Sequence, residues 1–166
     1  TSNNLSKAIL SNYLRIVDQV VFRNDSAVIS LNLVNDDSVR GIQFDLTFQD
    51  GFVFDFQNVV STSILNNFSI SISSLGANTF RFVVFTFTNN VILSGDQTIF
   101  NLPIFVSQTV ALGNYEFIIS NVVLSSQTNQ NISSNALVIG LITVDEVDVT
   151  LPVLTLLGNN PETLEV

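Results

Sequence analysis

The chain has 166 residues, 46% of them hydrophobic, and a net charge of −9, so it can build one domain with a real core but has only five basic residues to set against a phosphate backbone. Cysteine and histidine are both absent, which removes disulfides, thiol nucleophiles, thiolate metal sites and the usual general base at neutral pH. No apolar run nears the roughly 18 to 20 residues that cross a bilayer, so neither nucleic acid nor membrane insertion is expected.

The apolar residues are mostly Val, Ile and Leu with 14 Phe, types that suit a pleated, half-buried surface, and this points to an all-β chain. The amino terminus has no charged and apolar leader pattern, and the chain is expected to be soluble and already processed. Residues 1–12 are polar with a brief LSKAIL run, a linker or a short edge segment. Tyr13 to Phe22 predicts a first strand, the Asn24-Asp25-Ser26 stretch a turn, and Ala27 to Val34 a second strand that pairs with the first as a hairpin.

Asn35-Asp36-Asp37-Ser38 turns the chain into the stretch around which the rest is organised, Val39 to Phe48. There Ile42, Phe44, Leu46 and Phe48 alternate with Gln43, Asp45 and Thr47, the period of a strand with one dry and one wet face. Phe52, Phe54 and Phe56 alternate in the same way, and Phe68 to Ser74 places Phe68, Ile70 and Ile72 inward. Leu75-Gly76-Ala77-Asn78 turns back into Phe80 to Thr88, which is apolar on both faces. That strand is either central and covered twice, or it holds a bulge near Val83 and Val84.

Thr98 to Val106 is a further strand in which Pro103, lacking an N–H, must face an edge or a bulge. Tyr115 to Leu124 and Ala136 to Val144 complete about nine strands separated by Asn, Asp, Ser and Gly turns. The expected architecture is a jelly-roll or Greek-key β-sandwich over 13–144. Residues 145–149, with Asp145, Glu146 and Asp148, read as an acidic linker, and 150–166 as the first strand of another β domain.

From about Leu14 to Val144 the chain resembles a cohesin-type module of the kind seen in Bacteroidota surface proteins. The resemblance rests on SLNLVNDDSVRGIQFDLTF, FRFVVFTF and GNYEFIISNVVLSS in that order. It implies a nine-stranded jelly roll with no catalytic activity, which binds a dockerin-like protein through one sheet face. The tail DVTLPVLTLLGNNPETLEV is similar to the opening of a bacterial immunoglobulin-like repeat, with Leu151 where a second proline is common. Together these imply an extracellular or cell-surface, multi-domain protein acting in adhesion or assembly, with a dockerin-like partner or neighbouring surface domains.

Candidate sites follow. Gln43, Asp45 and Thr47 form the wet side of the organising strand and are the partner-face candidates. No nucleophile and base pair can be drawn, and a carboxylate glycosidase would need Asp45 and Asp55 on one surface. A carbohydrate-binding module is the alternative function, although the chain has no Trp and only Tyr13 and Tyr115 as other platforms. Asp36, Asp37, Asp145 and Asp148 offer oxygen ligands for calcium, without an EF-hand's spacing; a solvated turn and a charged linker are the plainer readings. Asp25-Ser26-Ala27 and Asp37-Ser38-Val39 match the O-glycosylation pattern of Bacteroidota, making Ser26 and Ser38 modification candidates in exposed turns. Asn4, Asn24, Asn67 and Asn131 start Asn-x-Ser sequons, as an Asn-rich chain does by chance.

Overall fold

A computed structural model describes residues 11–134 and 137–149; the predicted immunoglobulin-like strand, the Asn4 sequon and most of the amino-terminal segment lie outside the described residues. The strands are β1 (Asn12–Ile16), β2 (Gln19–Phe22), β3 (Asp25–Asn35), β4 (Gly41–Thr47), β5 (Phe52–Phe54), β6 (Val60–Ser61), β7 (Ser69–Gly76), β8 (Thr79–Phe85), β9 (Gly95–Val106), β10 (Gly113–Ser125) and β11 (Val138–Asp145). They form two sheets, a five-stranded one in the order β1-β3-β9-β5 with β6 also on β9, and a six-stranded one in the order β2-β11-β10-β4-β8-β7. The chain crosses repeatedly between the sheets, so β3 pairs with β9 and β4 with β10, and the result is a jelly-roll β-sandwich.

The organising strand is β4, and its alternation is set by burial. Ile42, Phe44 and Leu46 are fully enclosed, and Phe48 just beyond it is nearly so. Phe44 stacks on Phe82 of β8 at a centroid distance of 4.6 Å, while Phe48 meets Phe54 from the other sheet and Phe117 of β10, both at 4.8 Å. Aromatic pairs of this kind contribute about 0.5 to 1.5 kcal/mol each beyond the area they bury, so the ring cluster locks the two layers together. Not every Phe is core: Phe22, Phe85, Phe87 and Phe105 are exposed.

The predicted first strand is two strands in different sheets. β1 pairs with β3 as the expected hairpin partner, but β2 crosses over and runs parallel to β11. At the break over Val17 and Asp18 the Val17 amide donates to the Ser30 carbonyl and the Asp18 carboxylate accepts the Leu141 amide, so the crossing chain stays tied to both sheets. Gly140 of β11 faces Ile16 there, and a Cβ at that position would lie 2.4 Å from the Ile16 Cβ. A side chain would push β1 and β11 apart.

Strand β8 fits neither alternative drawn from sequence. Its register runs unbroken past Val83 and Val84 against both β4 and β7, so there is no bulge at that point. Nor is it covered twice: Phe82 and Val84 face the core, while Val83 is half-buried and Phe85 is exposed on the outer face. The register shifts instead between Ser74 and Gly76, and between Ser120 and Val123. The phase of Phe52 and Phe54 also stops short, because the chain leaves the sheet at Asp55 for a 3-10 turn over Phe56–Asn58.

That departure accommodates Pro103. The Asp55 amide donates to the Pro103 carbonyl, so the missing N–H, which points the same way as that carbonyl in a strand, faces the gap between β5 and β6. The proline thus has its edge inside β9, supplied by a neighbour that turns away. Asn12 belongs to β1 and Asp145 to β11, so each strand begins or ends one residue outside the span read from the sequence.

Candidate functional site: the outer face of the six-stranded sheet

Strands β10, β4, β8 and β7 present their outward residues in rows fixed by register. In the first row Thr79, Thr47 and Ile118 face one another, with Ile139 of β11 beyond. The second holds Ser73, Arg81, Asp45 and Ser120, and the third Ser71, Val83, Gln43 and Val123. Gln43 and Thr47 are half-buried on this surface, and Thr47 shares a hydrogen bond of 3.0 Å with Thr79 through their hydroxyls.

Asp45 does not behave as the solvated polar residue its alternating position suggests. It is 3% exposed. The Arg81 guanidinium, directly across the ladder, donates from Nε to Oδ1 at 2.7 Å and from Nη2 to Oδ2 at 2.8 Å. Asn121 adds a third donor, its Nδ2 lying 2.7 Å from Oδ2. Asn121 reaches the carboxylate because it sits at the β10 register shift with φ of 52°, a left-handed conformation that Asn tolerates better than most residues.

The Arg81 hydrogen bonds hold the Asp45 carboxyl below its ordinary value of 3.8; burial opposes them, and the Asn121 amide and the Arg81 charge add to the lowering. Arg81 is raised in turn by the same carboxylate. The centre of the face is therefore a buried carboxylate held by three donors from Arg81 and Asn121, with Val83, Val123 and Ile118 on the neighbouring outward positions.

Arg81 and Asn121 were not among the residues singled out from sequence. A signal existed for Arg81, the one charge in an otherwise apolar strand, which needed an acidic partner. None existed for Asn121, whose position depends on a register shift.

The other sequence candidates disperse. Asp55 lies on the five-stranded sheet's side and its carboxylate accepts the Asn58 side-chain amide at 2.7 Å, so it shares no surface with Asp45 and the two cannot act as a glycosidase pair. Asp36 accepts the Ser11 amide and Asp37 the Asn12 side-chain amide, while Asp145 accepts the amide of Glu146. Asp148 lies three residues past β11. Among the described residues no three acidic side chains converge on a cation-sized space. Arg23 pairs with Glu146, and its amide donates to the Asp145 carbonyl, tying the start of the acidic segment to the sandwich.

Ser26 falls in β3 opposite Phe105 rather than in the turn expected for it, because the turn is Arg23–Asn24 with Asn24 at φ of 58°. It is nonetheless exposed. Ser38 does lie in the connection between β3 and β4, half-buried. Tyr115 packs edge-on against Phe52 and donates its hydroxyl to the Ala111 carbonyl, so its ring is not free to serve as a sugar platform.

The outer face of the five-stranded sheet carries a second ion pair. Arg15 Nη2 reaches both oxygens of Asp96, at 3.1 and 2.8 Å, and Asn32 Nδ2 donates to the same carboxylate at 3.0 Å.

No family profile matches the sequence, and no curated protein does. Solved structures do match in fold. A non-cellulosomal cohesin from the archaeon Archaeoglobus fulgidus aligns at a TM-score of 0.67 with 14% identity, over 82% of this chain and 92% of that one. A type I cohesin–dockerin complex from Clostridium thermocellum gives 0.67 with 15% identity, over 81% and 99%. The cohesin module of a family 33 glycoside hydrolase from Clostridium perfringens gives 0.66 with 11% identity, over 83% and 99%. The chain is similar to these in its backbone architecture.

Proposed function

We propose that the protein is a non-enzymatic protein-binding module that uses the outer face of β10, β4, β8 and β7 to dock a partner in scaffolding or adhesion. The observation that carries this reading is the Asp45–Arg81–Asn121 node at the centre of the face, a buried carboxylate held by an arginine and an asparagine that remain open to the surface, with half-buried apolar side chains around it. Binding energy at interfaces concentrates on a rigid centre ringed by groups that exclude water, and Arg is among the residues favoured there. The likeness to cohesins, one of them solved with a dockerin, supports a partner of that class. Enzymatic activity has no support from the placement of Asp45 and Asp55 on different sheets.

The test is a retention assay with the protein as bait, against dockerin modules and against extract of the native source with the neighbouring domains retained. Wild type is expected to hold a protein that Val83→Glu releases, since a charge beside the node disturbs the face without touching the core. Equal retention by both, or no protein retained by wild type, overturns the reading. Micromolar binding to one sugar class on a glycan array overturns it in favour of a carbohydrate-binding module.

The setting belongs to the same proposal. An extracellular or surface-displayed chain of Bacteroidota type would carry O-linked glycan on Ser26 and Ser38, and residues 150–166 would open an immunoglobulin-like repeat after the acidic segment. Intact mass spectrometry of natively sourced protein checks the glycans: a mass equal to the bare sequence removes them and the source they support.

A further inference from the structure

Every open sheet presents two edges, and natural β proteins blunt them with short strands, charges, prolines, bulges or covering segments, because a bare edge pairs with other chains. Three of the four edges here are blunted among the described residues. β1 has five residues, and its first is covered by Ser134, whose amide donates to the Asn12 carbonyl and whose hydroxyl accepts the Asn12 amide, both at 2.7 Å. β2 has four residues. β5 and β6 have three and two, and are interrupted by 3-10 turns.

The fourth edge is different. β7 runs for eight residues, Ser69–Gly76, with no charged residue and no proline. Ser69, Ser71 and Ser73 are exposed, and Ile70 and Ile72 are only half-buried against the core. Its register to β8 is regular as far as Ser74.

The pattern is also self-complementary. An antiparallel pair of β7 strands related by a two-fold axis at Ser71 sets Ser71 against Ser71, Ile70 against Ile72 and Ser69 against Ser73. Each half-exposed isoleucine then gains an isoleucine across the new ladder, and cross-strand pairs of this sort are the unit of sheet stabilisation. Centring the axis on Ile72 instead sets Ile70 against Ser74 and runs the ladder into the register shift before Gly76. Charge points the same way. A chain of net charge −9 repels its own copies over most of its surface, and β7 is a stretch where two copies meet with no charge on either side.

We propose that β7 pairs with the β7 of a second copy of this chain, joining two six-stranded sheets into one continuous sheet with a two-fold axis at Ser71. A short ladder buries less than the roughly 1,200 Å² of a stable complex, so the association is weak and rises with concentration. The ladder forms through the free backbone edge of β7, beside the outer face whose rows include Ser71 and Ser73.

The native sequence has no cysteine, which makes the register directly testable in the full chain. Opposed Cα atoms in an antiparallel ladder lie about 4.5 to 5.5 Å apart, within disulfide range, so Ser71→Cys is expected to form a disulfide-linked dimer at least about tenfold faster than Ser69→Cys or Ser73→Cys alone. Mixing Ser69→Cys with Ser73→Cys should restore fast linkage. Sedimentation of wild type should show a dimer that grows with concentration and disappears in Ser71→Lys, where like charges face each other. Equal linkage rates for the three single variants, or a wild type that stays monomeric at every concentration, overturns the proposal. Capture of a different protein's strand by this edge, with no self-linkage through Ser71→Cys, overturns it too.

Discussion

The two outer faces carry the same chemistry in different solvent. On the six-stranded sheet Arg81, Asp45 and Asn121 converge on one carboxylate; on the five-stranded sheet Arg15, Asp96 and Asn32 do the same. Distances are alike, but the Asp45 side chain is 5% exposed and that of Asp96 49%. Arg81 also engages its aspartate with two nitrogens as a fork, whereas Arg15 reaches both oxygens from one. Residue type and contact length therefore do not rank these triads. Water does, because a carboxylate that water can reach loses little when its partner goes, and one that water cannot reach depends on that partner.

The comparison breaks most visibly when each acid is removed. Asp45→Ala is expected to destabilise the fold by about 2 to 3 kcal/mol, since three charge-assisted hydrogen bonds go with a buried carboxylate. In a domain of this size that lowers Tm by roughly 5 to 10 °C. Asp96→Ala should cost no more than about 0.5 kcal/mol, as exposed pairs do. Thermal unfolding of the two variants side by side checks both, and equal losses would mean that burial is not what separates the triads.

Replacing the buried pair together is a sharper test. Asp45→Val with Arg81→Leu should recover most of the stability lost by Asp45→Ala, because a packed apolar pair does not depend on charge. The same double variant should bind no partner if the node anchors the docking face.

A smaller effect comes through pH. The folded carboxyl of Asp45 is lowered from 3.8, so its contribution is complete well above 3.8 and is lost as pH falls from there through the lower folded value. Wild type should lose stability over that acid range more steeply than Asp45→Asn, measured by denaturant unfolding at a series of pH values. The smallest effect is salt. At about 1 M, where the screening length is about 3 Å, the modest contribution of Arg15–Asp96 should vanish and Arg15→Gln should unfold with wild type, while the Asp45→Ala difference persists.

The sequence by itself determined the class of fold, because a period of two is a local property. Ile42, Phe44, Leu46 and Phe48 had to share a face whatever lay opposite, and Asn, Asp, Ser and Gly clusters marked the strand ends to within a residue or two, with Asp25-Ser26, Gly95-Asp96 and Gly113-Asn114 drawn into the strands themselves. It also placed Gln43, Asp45 and Thr47 together on the other face of β4. Only the tertiary structure decided what that face contains. Arg81 lies 36 residues from Asp45 and Asn121 lies 76 away, and they meet through a cross-strand register and a register shift that no local pattern encodes. The same holds for the split of Tyr13 to Phe22 between two sheets and for the place of Pro103, which depends on β5 turning away at Asp55. Periodicity tells a side chain which way to point; whether water reaches it is settled by the strands packed alongside.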